Sequence, residues 1–241
     1  MKIENGLLIA VEGIDGAGKT TLARTLAERL RAVGLTVRET KEPTTGPWGK
    51  LIRDSKTTHR LSLEDELEAF VEDRKEHVRE FIRPAMAKGQ VVIVDRYYYS
   101  TAAYQGIRGA DPTAIVAMNE VFAPRPDLLV ILDVSAAVGL DRVRARGDVA
   151  DLFEREDDLT RAREVFRAFE GDHVLRLDAT STVDQLTQAA LDRVYEPLLF
   201  NRMCKRGVDA CEPVYCGYRI AGTCDHVKVG ALSPVELAVL A

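Results

Sequence analysis

The stretch Gly13-Ile14-Asp15-Gly16-Ala17-Gly18-Lys19-Thr20 decides the fold. It matches the pattern G-x-x-x-x-G-K-[ST] in full, and each residue type has a physical task. Gly13, Gly16 and Gly18 let the chain turn tightly and aim backbone N–H groups inward at phosphate oxygens. Ala17 and Thr21 complete the set expected to cradle the nucleotide. Lys19 is placed to reach the β- and γ-phosphates, and the Thr20 hydroxyl to ligate Mg²⁺. The flanks fit. Leu7 to Val11 is a short apolar run that reads as a buried strand. Leu22, Leu26, Leu30 and Val33 then recur at helical spacing, with Gly34 as the stop. The helix presents the positive end of its dipole to the bound anion. A chance glycine-rich turn has no reason to carry both flanks. The motif establishes nucleotide binding and leaves the reaction open.

Outward from this loop the pattern repeats. Leu35 to Lys41, Val91 to Asp95, Leu128 to Val134 and His173 to Leu177 read as further strands. The third and fourth runs are continuously apolar, as expected when both sheet faces are covered. Ser62-Leu63-Glu64-Asp65 looks like a capped helix start. A long helix follows through Leu67, Phe70, Val78 and Ile82, with Pro84 as its kink or end. Helical patterns also span Thr113–Phe122, Val138–Arg146, Leu159–Phe169 and Val183–Tyr195. Strands alternating with helices predict an α/β fold, a P-loop-type parallel sheet flanked by helices. The pattern ends near Tyr195, dividing the chain into a domain over 1–196 and a Cys-rich extension over 197–241.

The chain has 241 residues and a formal net charge of −5. That balance argues against coating nucleic acid, which shows as a basic excess. It leaves room for an anionic substrate, because arginines can make a positive cleft locally. No apolar run suits a bilayer, and the N-terminal residues lack the features of a signal peptide, so a cytoplasmic protein is expected.

Asp95-Arg96-Tyr97 closes the third strand. In open α/β sheets ligands bind outside the carboxyl ends of the strands, so these residues should share a crevice with the glycine-rich loop. Asp95 can bind Mg²⁺, directly or through water. Arg96 can hold an acceptor phosphate or stabilise transition-state charge. The alternative is a structural ion pair at a strand end.

At this point the residues resemble the thymidylate kinases, monophosphate kinases that convert dTMP to dTDP. The resemblance runs from Leu7 to about Leu191. It is carried by EGIDGAGKTT at Glu12–Thr21, KEP at Lys41–Pro43, FVEDR at Phe70–Arg74, DRYYYSTAAYQG at Asp95–Gly106, PDLLVILDV at Pro126–Val134 and RARG at Arg144–Gly147. The glycine-rich loop is shared by many families, and the run after the third strand is far more particular. The resemblance implies ATP as donor with Mg²⁺, and a homodimer. It implies that Asp15 accepts from the acceptor's 3′-hydroxyl, that Phe70 stacks on the thymine and that Arg74 donates to its O4. Arg53 and Arg96 would clamp the acceptor phosphate. Tyr104 would crowd the sugar 2′ position, and Thr101 and Gln105 would face the base edge. Phe70 and Arg74 at i and i+4 do share a helix face. Read alone, Phe70 is equally a core residue and Arg74 a surface one. The homodimer contact is expected on helices away from the crevice, the stretch Leu67–Ile82 having apolar residues on more than one face.

Families of this type carry a mobile arginine in the loop or in a lid. Gly16 and Ala17 offer none, so the lid should supply it. Arg142, Arg144 and Arg146 end one helix, and Arg155 lies in the expected loop Asp148–Asp157. Arg142 and Arg146 are the candidates against the donor nucleotide, and Arg155 against the transferred phosphate. The family pattern places an arginine after the lid aspartate, where this chain has Asp151-Leu152-Phe153-Glu154. Arg155 compensates from three residues on, or the loop is a solvated charged segment.

All the cysteines, Cys204, Cys211, Cys216 and Cys224, fall in the extension, with His226 nearby. Clustered thiols in a reducing compartment read more readily as a structural Zn²⁺ site than as disulfides, although their spacings fit the common zinc ribbons poorly. An iron–sulfur cluster and unligated thiols are the other readings. Three alternatives to dTMP phosphorylation remain. One is a kinase for another deoxynucleotide such as dUMP or a modified pyrimidine. Another is a nucleoside kinase with Glu42 as base. The last is a non-catalytic nucleotide-binding regulator.

Overall fold

The structure, a computed structural model, describes residues 3, 5–55, 60–145 and 152–195. Five strands form one parallel sheet in the order β2-β3-β1-β4-β5. They are β1 (Leu7–Gly13), β2 (Val37–Lys41), β3 (Val91–Asp95), β4 (Leu128–Asp133) and β5 (Val174–Asp178). β1 is central and fully buried, with Leu7 opposite Val91 on one side and Ile9 opposite Leu128 on the other. Its unbroken apolar run answers to burial on both faces.

Helices cover both faces. α1 (Lys19–Ala32) and α9 (Val183–Arg193) pack together on the sheet, and α5 (Tyr98–Gly106) and α8 (Leu152–Ala168) pack together over β1 and its neighbour β4. α1 buries Leu22, Leu26 and Leu30, as its spacing predicts, and Gly34 follows at φ +84°. α3 (Leu63–His77) starts where Ser62 accepts from the Asp65 N–H. The long helix expected through Ile82 is interrupted. A π turn over Val78–Ile82 leads into α4 (Arg83–Ala87), whose second residue is Pro84. Proline has no N–H to bond four residues back, and the wider turn absorbs the loss.

Two helices lie outside the sequence expectation, α2 (Pro47–Ser55) and α5. α5 is hidden because it has no polar face. Tyr98 to Ala103 are all buried. Its N-terminus has no capping side chain of its own. Instead Glu12 of β1 accepts from the backbone N–H groups of Tyr97 at 2.7 Å and Ser100 at 3.0 Å, which satisfies donors that a helix start leaves open. α6 (Pro112–Glu120) and α7 (Ala136–Arg144) follow β3 and β4 as expected. α8 begins at Leu152, so much of the expected lid loop is helix. No described helix is long and apolar enough to cross a membrane. The extension and its four cysteines lie outside the described residues, as does Arg146.

Candidate active site

Gly13 and Gly16 show why the loop is built from glycine. Gly13 sits at φ +138°, and a Cβ there would stand 2.5 Å from the Leu132 carbonyl oxygen. Gly16 sits at φ +80° against the Gly139 carbonyl of α7, with no room for a side chain. The Gly139 position is equally tight, since a Cβ there would lie 2.6 Å from the Asp15 carbonyl. Lys19 is folded into this loop. Its Nζ donates to the Gly13 carbonyl at 3.0 Å and the Ile14 carbonyl at 2.7 Å. Burial, then nearby Arg96, lowers the ammonium pKa to about 7 against the pull of Asp15, Asp95 and Glu12. A charge held at such cost is stabilised by any anion that enters the loop.

Thr20 opens α1 and its hydroxyl donates to Asp95 Oδ2 at 2.5 Å. Lys41 Nζ stands 3.5 Å from the same oxygen. Asp95 is 4% exposed, yet its Oδ1 has no hydrogen-bond partner. A buried carboxylate oxygen without a donor, beside a hydroxyl, suits a small hard cation that keeps most of its water and phosphate ligands. The pair therefore fits Mg²⁺. No group of three or more His, Cys, Asp or Glu among the described residues is arranged to hold a metal by protein ligands alone.

Arg96 has φ +70°, a left-handed conformation rare outside glycine that costs about 1–3 kcal/mol and clusters at functional sites. The surroundings hold it there. Its NH2 donates to Asp15 Oδ1 at 2.5 Å and its NH1 to Ser100 Oγ at 3.2 Å. Ser100 Oγ donates in turn to Glu12 Oε2 at 2.6 Å. Burial opposes the Arg96 charge, and Asp15 with Tyr104 and Glu12 outweighs it, so the pKa rises. Glu12 is pushed up to about 7 by burial, partly offset by its bonds to Ser100 and Tyr97. Tyr104 donates to Asp15 Oδ2 at 3.1 Å and lies under the Arg96 guanidinium.

Beside this cluster opens a cavity lined by Asp15, Phe70, Arg74, Arg96, Thr101, Tyr104 and Gln105, seven of the eight residues expected at the acceptor. Arg53 does not line it. On α2, its NH1 donates to the carbonyls of Pro43 at 3.1 Å and Thr44 at 2.5 Å, bracing the KEP turn. Gln105 Oε1 is buried with no partner, an acceptor available to a donor on a ligand's edge. Arg74 is not a surface residue, being 1% exposed. Its Nε donates to Glu42 Oε2 at 2.8 Å, NH1 to Asn119 Oδ1 at 2.6 Å and NH2 to Thr101 Oγ1 at 3.0 Å. Glu42 Oε1 faces His77 Nδ1 at 2.9 Å. With both oxygens engaged, Glu42 is poorly placed to act as the base a nucleoside kinase would need.

Several residues here were not anticipated. Glu12, Asn119, His77 and Glu66 all carry polar contacts around the cavity, and Glu66 is paired with Arg108. Asp73 accepts from the Thr44 N–H at 2.8 Å and the Thr44 hydroxyl at 2.6 Å, fixing the turn from the other side. Residues 66, 70, 73, 74 and 77 follow helical spacing, a legible signal. A lone carboxylate at the end of an apolar strand is the signal for Glu12. Nothing in the sequence marks Asn119. On α7, Arg142 NH2 donates to the Ala179 carbonyl at 2.9 Å and its NH1 lies 3.5 Å from the Gly16 carbonyl, beside the loop. Arg155 belongs to α8, its side chain outside the description. The apolar residues of Leu67–Ile82 do not form an exposed face. Phe70 lines the cavity, and Val78 and Ile82 are core.

Comparison with known proteins agrees with this geometry. The thymidylate kinase family model matches residues 11–190. A thymidylate kinase of Xanthomonas campestris pv. campestris (strain B100) is 51% identical over 187 residues, covering 77% of this chain and 81% of the relative. A thymidylate kinase of Xylella fastidiosa (strain M12) is 48% identical over 193 residues, covering 80% and 88%. With the family model matching residues 11–190 and identity near one half across most of both chains, the chain belongs to the thymidylate kinase family.

Proposed function

We propose that the protein transfers the terminal phosphoryl group of ATP to dTMP, giving dTDP. The observation that carries this is the buried Arg74 donor, one helical turn from Phe70, in a cavity that Arg96 and Asp15 also line. Thymine presents an acceptor at O4 where cytosine presents an amino group. A buried donor rejects the second by leaving both groups unpaired.

Each residue then has a role that its contacts support. Lys19 exchanges its two loop carbonyls for phosphate oxygens. Thr20 and Asp95 would hold Mg²⁺, which would supply positive charge beside the phosphates. Arg96 offers its guanidinium to the acceptor phosphate, aimed by Asp15 and Ser100. Asp15 accepts from the 3′-hydroxyl, and Tyr104 beside it crowds the 2′ position. Arg142 serves the donor side from beside the loop; resemblance to the family, without contacts to support it, assigns Arg146 there too and Arg155 to the transferred phosphate. No general base is required, because a phosphate monoester has a second pKa near 6 and is already largely ionised. Catalysis rests on positioning and charge. A coupled assay across nucleoside monophosphates tests the reading. The expected result is a preference for dTMP over dCMP of about 100-fold or more. Equal use of the two would refute base reading by Arg74.

A homodimer is part of the proposal. Trp48 and Leu51 on α2, Met118 on α6 and Val121 just beyond its end are exposed large apolar residues, with Val121 85% exposed. Light scattering should give twice the chain mass, and a monomer mass at working concentration removes the claim.

A further inference from the structure

A chain of polar side chains runs from the edge strand to the base pocket through the interior. Thr40 on β2 lies 2.7 Å from His77 Nε2, His77 Nδ1 lies 2.9 Å from Glu42 Oε1, and Glu42 Oε2 receives Arg74. His77, Glu42 and Arg74 are all buried. A carboxylate oxygen at Nδ1 requires a proton on that nitrogen, which leaves Nε2 to accept from the Thr40 hydroxyl in the neutral ring.

Arg74 has five N–H groups. Nε and one hydrogen of NH2 serve Glu42 Oε2, the second NH2 hydrogen serves Thr101, and one NH1 hydrogen serves Asn119. One NH1 hydrogen is left for a ligand. Its direction is set by the plane of the guanidinium, which Glu42 holds at two nitrogens and Asn119 and Thr101 at one each. A carboxylate held at one oxygen only is free to rotate about its terminal torsion, which is soft. His77 Nδ1–H removes that freedom.

We propose that His77 is a specificity-determining positioning residue, which fixes Glu42 and through it aims the base-reading hydrogen of Arg74. The inference rests on Arg74 reading the base. His77 does not line the cavity, and its position one turn beyond Arg74 on α3 makes its effect indirect.

The test compares kcat/KM for dTMP and dCMP at saturating ATP in the full chain. Asn at position 77 places its amide N–H where Nδ1 stands, and Gln places its amide where Nε2 stands. His77→Asn should keep the wild-type ratio of dTMP to dCMP within threefold. His77→Gln and His77→Ala should lower the ratio tenfold or more while leaving KM for ATP within twofold. A merely structural role lowers yield or stability for both substrates alike and leaves the ratio unmoved. A ratio unchanged in His77→Gln, or an equal fall in His77→Asn and His77→Gln, overturns the inference. Arg74→Lys separates the two layers. If it too leaves the ratio unchanged, base reading by Arg74 fails and the inference with it. If it collapses the ratio while His77→Gln does not, only the role of His77 fails.

Discussion

Replacing Arg74 by alanine should destabilise the fold as well as the reaction. Arg74 and Glu42 form a buried pair, their side chains 1% and 2% exposed and 2.7 Å apart. Alanine leaves the Glu42 carboxylate buried with His77 as its remaining partner, and strips a donor from Asn119 and from Thr101. Breaking a buried pair from one side costs about 3–5 kcal/mol. The space vacated adjoins the acceptor cavity, so water can enter and solvate the orphaned acceptors, which places the expected loss near the lower end, ~3 kcal/mol. At about 2–4 °C per kcal/mol for a domain of this size, the midpoint should fall by roughly 6–12 °C. Urea titration followed by circular dichroism measures the loss directly. Adding Glu42→Gln to Arg74→Ala removes the unpaired charge and should recover about 2 kcal/mol, because the cost lay in the stranded carboxylate. Arg74→Ala within 1 kcal/mol of wild type, or a double variant less stable than the single, would refute the reasoning.

Lys19→Ala should lower turnover by about 100-fold or more with unchanged yield of folded protein, since the lost group acts on phosphate charge; turnover near wild type would remove this loop from catalysis. Glu12→Gln should grow more stable relative to wild type as pH rises. The folded carboxyl titrates at about 7, above its ordinary value of 4.5. Between those values the folded wild type therefore binds a proton that the unfolded chain has released, and its stability falls through that window. Glutamine has no such penalty, so the gap between the two nucleotide-free proteins should widen by about 3 kcal/mol from pH 4.5 to above pH 7. A constant gap in urea titrations across that range would show that Glu12 is not a buried titrating group.

The three inner strands, β1, β3 and β4, were legible because each is a short run apolar on both faces. β3 was read to the residue, Val91–Asp95. The cradle was legible because backbone approach to phosphate admits few residue types. α5 was not, because a helix with Tyr98, Tyr99, Thr101, Ala102 and Ala103 all buried carries no amphipathic period, and its cap comes from Glu12, 85 residues from Tyr97. Arg74 shows a related limit. Its place on a helix face can be read from spacing, but its burial depends on Glu42 and Asn119, brought to it by the fold over separations of 32 and 45 residues. Long-range partners of this kind leave no local trace in a single sequence.

The strand order has a consequence for how the chain is made. β1 is made before either of its partner strands. Leu7 pairs with Val91, 84 residues later, and Ile9 with Leu128, 119 residues later. At about 5–20 residues per second, the fully buried central strand waits on the order of 5–25 s with one or both edges open. During that interval it is flanked only by α1, whose local contacts can form at once. The nascent chain therefore carries its central strand with at least one open edge over 119 residues of synthesis, which makes this the segment for holding chaperones to cover. Slow codons placed before residue 91 should lower soluble yield more than the same codons placed after residue 133.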